Sequence, residues 1–229
     1  MPEIVCAYCG TKNKTKNNDG ICVFCEGYLS VIPPRELNET DEDKQKILRA
    51  RELLETGNYD DACKLVDSTS NSKDPFVNYV AGIIYKYCSD KHYFDIDYAL
   101  KGFMEKNAEK REMALKLQGL SRERFYRVVY EVEKSPEPKS EHLIYMEIVS
   151  LLKLGKLVDA KAALEKLNKN GKAYAYANML YQVEANDKLA EKSIRALEKS
   201  EPNAIYYLAK YLARNGKLEG AKKALSAFK

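Results

Sequence analysis

At 229 residues, 45% hydrophobic and 31% charged with ordinary glycine and proline content, the chain has the composition of a folded, soluble protein rather than a disordered one. No apolar run approaches the roughly 18–20 residues of a membrane span, and the first six residues, Met1 to Cys6, lack the basic and apolar regions of a secretory signal. Six cysteines without export imply a reducing compartment and argue against a disulfide framework. A cytoplasmic protein with no membrane contact is expected. The net charge of +4 is unevenly spread, with −5 over residues 36–75 and +8 over residues 76–229, a gradient that permits an acidic partner without requiring one.

The first chemistry in the chain is Cys6-Ala7-Tyr8-Cys9-Gly10 followed by Cys22-Val23-Phe24-Cys25, a C-x2-C-x12-C-x2-C pattern. Four thiolates in two close pairs suit the tetrahedral preference of zinc, each turn presenting two sulfurs. The competing readings are two disulfides, a redox CxxC and a rubredoxin-type iron site. The reducing context weighs against the first two, and the short chain between the knuckles against the third. Between the knuckles, Thr11 to Thr15 alternates as a short strand would, Asn17 to Gly20 reads as a turn, and Tyr28 to Ile32 reads as another strand.

Over about its first 32 residues the chain resembles a zinc ribbon. That resemblance implies one structural zinc on Cys6, Cys9, Cys22 and Cys25, with no coordination position open for catalysis. Glu26 departs from the pattern, standing where many ribbons have a second glycine. A strand would point Lys12, Lys14 and Lys16 to one face, as a phosphate-contacting finger does. A solvated hairpin tip is the favoured reading of the three lysines.

Pro33-Pro34 closes this region, since neither can donate to a strand ladder. Residues 1–35 are expected to form the ribbon and residues 36–229 a helical domain, with a subdivision near 134–140. Thr40 and Asp43 offer a capping box. Helical periodicity then runs through Ile47, Leu48, Ala50, Leu53 and Leu54 to Gly57. Three turns share one form: Gly57 with Ala62, Gly155 with Ala160, and Gly216 with Ala221, glycine preceding alanine by five residues each time. The glycines lie 98 and 61 residues apart, close to multiples of a helical-hairpin repeat of about 30–34 residues. The Gly57 unit follows the ribbon directly and is expected to abut it.

Here the chain resembles the tetratricopeptide repeats. Gly57, Tyr59, Ala62, Val66 and Pro75 match one unit; Ala81, Gly82, Tyr85, Ala99 and Phe103 match the next, with an insertion around Ser89 to Phe94. Later units match through Leu151, Gly155, Leu157, Ala160, Leu164 and Leu167, then Pro202, Leu208, Ala209, Leu212, Gly216, Leu218, Ala221 and Leu225. Asp187 marks a turn without glycine, and residues 105–134 read as helix with a break at Gly119-Leu120-Ser121. The resemblance implies a mostly α fold, an α-solenoid of about eleven helices in five or six hairpins, behind a small β zinc ribbon.

No HExxH, serine elbow or glycine-rich phosphate loop is present, so an enzyme is not expected, nor a small-molecule substrate. His92 and His142 read as surface residues, Asp60-Asp61 as a helix N-terminus, and Cys63 and Cys88 as buried fillers. Seventeen tyrosines without tryptophan lie mostly on first helices of hairpins, which line the groove of such arrays. More than half are expected in the core. The leading functional reading is a non-enzymatic adaptor docking a protein partner. The alternative is an RNA- or ribosome-associated factor using the ribbon lysines and the basic C-terminal units.

Overall fold

A computed structural model describes residues 3–6, 8–14, 19–30, 42–90, 108–198 and 204–227. It is mostly α. Four short strands open it: β1 (Glu3–Val5), β2 (Lys12–Lys14), β3 (Asp19–Ile21) and β4 (Tyr28–Ser30). Ten helices follow among the described residues: α1 (Glu42–Glu55), α2 (Tyr59–Asp67), α3 (Pro75–Cys88), α4 (Ala108–Lys134), α5 (Glu141–Lys153), α6 (Leu157–Leu164), α7 (Lys172–Glu184), α8 (Ala190–Glu198), α9 (Ala204–Arg214) and α10 (Leu218–Ala227). None of the described helices is long and apolar enough to cross a membrane.

The chain divides into two compact units that do not follow chain order. One joins residues 1–34 to residues 136–229; the other is the intervening segment, residues 35–135. The sequence suggests a ribbon followed by a helical region subdivided near 134–140, and a boundary does fall at residues 135–136. In the structure the first residues instead share a unit with the last five-twelfths of the chain, through side-chain contacts that no local periodicity reveals.

In the segment 35–135, α3 is the centre. Eleven of its fourteen residues are buried, and it packs against α1, α2 and α4. Asp74 caps its N-terminus, accepting from Phe76 N–H at 2.7 Å, and Pro75 occupies the first turn, where a missing N–H costs nothing. Gly82 lets α4 approach: a Cβ there would meet the Phe125 ring at 3.0 Å. The Ser121 hydroxyl donates to Gly82 O at 2.7 Å, and Phe125 meets Tyr79 edge-on at 6.2 Å. The break expected at Gly119-Leu120-Ser121 does not occur. α4 runs unbroken through all three residues, because Ser121 is used for packing and Gly119 faces open space. Tyr79 and Tyr85 are buried here, whereas Tyr126 and Tyr130 are exposed on α4. Ala99 and Phe103 lie outside the described residues, as do Thr40 and Pro202.

In the other unit, α5–α6, α7–α8 and α9–α10 pack as pairs, and α7 also touches both α5 and α9. The hairpin turns explain the repeated glycine. Gly57, Gly155 and Gly216 have φ of 77°, 75° and 72°, the left-handed region that costs other residues about 1–2 kcal/mol. None has an atom within 4 Å of a would-be Cβ, so conformation, not space, requires glycine. Each closes its helix in the same way, the next residue's N–H reaching back five positions: Asn58 to Leu53 O, Lys156 to Leu151 O and Lys217 to Leu212 O, all at 2.9 Å. This is the Schellman closure. Ala62, Ala160 and Ala221 are buried, where the second helix of each hairpin begins its packing face.

A fourth turn repeats the pattern without glycine. Asn186 takes φ 52°, and Asp187 N–H bonds Gln182 O at 2.9 Å. Asn186 lies 31 residues after Gly155 and 30 before Gly216. Asparagine is the residue that tolerates this conformation next best.

Candidate metal centre

Local backbone hydrogen bonds close both knuckles. β1 and β2 pair antiparallel with Ile4 opposite Asn13, and β3 and β4 with Gly20 opposite Leu29. Cys6 N–H bonds Thr11 O and Gly10 N–H bonds Cys6 O, both at 2.9 Å; in the second knuckle Cys22 N–H bonds Gly27 O at 2.9 Å and Glu26 N–H bonds Cys22 O at 3.0 Å. The knuckles are therefore equivalent, with Gly10 at φ 72° and Glu26 at φ 61° in corresponding positions. Glu26 does adopt the glycine conformation, and the second knuckle closes as the first does.

Together the knuckles bring the sulfurs of Cys6, Cys9, Cys22 and Cys25 within 4.8 Å of one another, all four buried. Cys6 and Cys25 sulfurs are 3.7 Å apart and Cys9 and Cys22 sulfurs 3.6 Å. A disulfide is about 2.05 Å long, and all four cysteines are free. A metal bonded to four sulfurs at about 2.3 Å has tetrahedral edges near 3.8 Å, so the set fits a tetrahedral ion. Burial pushes the Cys6 and Cys25 thiols well up; at Cys22 burial is outweighed by hydrogen bonds from Cys25, Cys6 and Cys9, which pull it well down. A metal is held by thiolates, so the remaining thiol protons leave as it binds. Asn13, buried between Lys12 and Lys14, approaches Cys22 Sγ through Nδ2 at 3.5 Å, and Gly27 N–H donates to Cys25 Sγ at 3.4 Å. These four residues could hold one metal ion, consistent with zinc.

The ribbon is fixed to its unit by residues far along the chain. Glu26 Oε2 pairs with Lys153 Nζ of α5 at 2.6 Å, both side chains more than four-fifths buried, and Tyr145 Oη donates to Glu26 O at 3.1 Å. Lys153 and Lys210 together outweigh burial and hold the Glu26 carboxyl below its ordinary range; Glu26 in turn outweighs burial at Lys153 and raises it. The Tyr28 ring lies 5.4 Å from His142, 5.8 Å from Tyr145 and 6.0 Å from Tyr176. Tyr8 Oη and His142 Nδ1 share a hydrogen bond of 2.7 Å across 134 positions of sequence. Tyr207 of α9 is buried too, and both burial and the Glu26 charge push its phenol up. The contacts come from α5 and α7, the first helices of two successive pairs, while α9 acts on Glu26 through the charge of Lys210.

His142 is thus buried, not on the surface as expected, because the ribbon covers it. Sequence reasoning missed this docking face; its one visible signal was Glu26 in a glycine position. Lys12 and Lys14 are exposed on β2, with Lys12 3.8 Å from Glu3; Lys16 lies outside the described residues, as does His92. Asp60 and Asp61 occupy the first turn of α2. Cys88 is buried and Cys63 half-buried, with Cys63 lining a cleft between α2 and α4 alongside Asp67, Met113 and Lys116. No family model, no curated protein and no solved structure matches the chain.

Proposed function

We propose that the chain is a non-enzymatic adaptor: a tetratricopeptide-like array of hairpins that docks a protein partner, stabilised by a ribbon around one structural zinc. The observation that carries this reading is the face of α5, α7 and α9. Its rings and the Lys153 ion pair already grip a polypeptide, the ribbon segment from Glu26 to Tyr28. Tyrosine suits such a face, giving apolar area, a polar tip and few rotors. A sulfur set closed by four protein ligands supplies shape and not catalysis.

A second reading, contact with RNA or the ribosome, is supported by Lys12 and Lys14, exposed on one side of β2 with buried Asn13 between them. Phosphate contact of this kind weakens steeply with salt. One experiment separates the two: affinity capture from native lysate by the tagged full chain, with and without nuclease, at low and moderate salt. The adaptor reading expects the same protein retained in all four conditions. Retention abolished by nuclease, or by moderate salt together with release of RNA, replaces it with the second.

A further inference from the structure

Apart from Tyr8, whose phenol bonds His142, the grip on the ribbon falls in three consecutive residues. Glu26 gives its carboxylate to Lys153 and its carbonyl to Tyr145. Gly27 follows, and the Tyr28 ring enters the cluster of His142, Tyr145 and Tyr176. That presentation depends on the knuckle. Glu26 holds φ 61° because the bonds of Cys22 with Glu26 and Gly27 close the turn, and a ribbon this small needs its metal to fold. The hairpins do not depend on it in the same way. Met146, Ile148, Ala160, Leu164, Ala177 and Ile194 are buried, the helices pack against one another in pairs, and the turns close through their own backbone.

We propose that the face of α5, α7 and α9 is a binding site for a partner segment that presents a carboxylate two residues ahead of an aromatic ring, and that the ribbon fills this site in cis while its sulfurs hold their metal. The proposal rests on the adaptor reading and names what that groove selects. A ligand carried on the same chain competes intramolecularly with a free segment of equal intrinsic affinity, which is excluded until the ribbon lets go. Without metal the knuckle loses the left-handed turn at Glu26, the carboxylate and ring are no longer held in register, and Lys153 and the tyrosines become available. Lys153 is the selective element. Once uncovered it is a cation beside aromatic rings, and a segment lacking the carboxylate leaves it unpaired.

The test uses a fluorescein-labelled peptide of residues 20–30 carrying Cys22→Ser and Cys25→Ser, titrated by anisotropy into the full chain, zinc-loaded or stripped by chelator. The stripped chain is expected to bind at least about tenfold more tightly than the loaded one. Zinc-loaded Glu26→Lys chain should bind without chelator. Lys153→Glu should abolish binding, and a peptide carrying Glu26→Lys should restore it to that variant. Equal affinity for loaded and stripped chain, or indifference to Lys153→Glu, overturns the proposal. So does loss of helical circular dichroism on both chelation and Glu26→Lys, because the ribbon is then a fixed wall of the fold. If the peptide behaves as expected but neither form retains a lysate protein, the adaptor reading falls while the selectivity of the face stands. If both forms retain a partner equally and the peptide fails, this proposal falls and the adaptor stands.

Discussion

Glu26 sets two costs against each other. Its left-handed backbone, φ 61°, costs about 1–2 kcal/mol relative to glycine. Its carboxylate, in return, neutralises Lys153 in a site where both side chains are more than four-fifths buried. Breaking a buried pair by removing one partner costs about 3–5 kcal/mol, more than the strain relieved. Glu26→Gly is therefore expected to destabilise the protein by about 1–4 kcal/mol in denaturant unfolding, although it removes strained backbone. Adding Lys153→Met should recover most of that loss, since the orphaned cation is then gone. A stabilising Glu26→Gly would show that the ion pair contributes nothing net.

At the scale of elements, the α3–α4 pairing shows what periodicity can reveal and what it misses. The apolar run from Phe76 to Tyr85 marks α3 as a buried helix, and the Gly-Ala spacing marks the hairpin turns, because both are local patterns. Asn186 escaped notice because its role is a backbone angle that side-chain identity only hints at. The ribbon's position was illegible for a different reason: its contacts join residues 114 to 148 positions apart, and no window of sequence holds both partners. Arg124 belongs with these. In sequence it belongs to a stretch, Ser121 to Arg127, that mixes Arg with aromatics as nucleic-acid binders do, yet it is 3% exposed. Its guanidinium donates to Val66 O, Thr69 O, Thr69 Oγ1 and Asn78 Oδ1 at 2.8–3.2 Å. It thereby closes the C-terminal end of α2, where carbonyls lack helical partners and the dipole favours a cation. Arg124→Met should cost about 2–4 kcal/mol by leaving these acceptors buried and unpaired. Arg124→Lys should recover less than half of that, since one ammonium cannot span the fork. Chemical denaturation of the two variants decides it; equal stability of Arg124→Met and the parent would reduce Arg124 to filler.

The whole molecule is two units interleaved along the chain, with residues 35–135 inserted between the ribbon and the helices it joins. All four sulfurs lie in the unit formed by residues 1–34 and 136–229, and none lies in the other. An ion that binds only the folded state stabilises what it binds by mass action. It acts on whichever core the ribbon covers, and here that core is α5, α7 and α9. Metal analysis of the purified chain is expected to give about one zinc, a four-ligand tetrahedral site holding a single ion. Calorimetry should resolve two transitions, one per unit. Chelation should lower only one of them, by several degrees, given about 2–8 °C per kcal/mol for domains of this size. Cys6→Ser should reproduce the shift without chelator, and Arg124→Met should lower the other transition instead. The crossed pair of perturbations tests the division itself. If chelation and Arg124→Met move the same transition, the two units unfold as one and the interleaving has no thermodynamic consequence. If chelation moves neither, the buried sulfurs contribute to the fold as an apolar cluster and not as ligands.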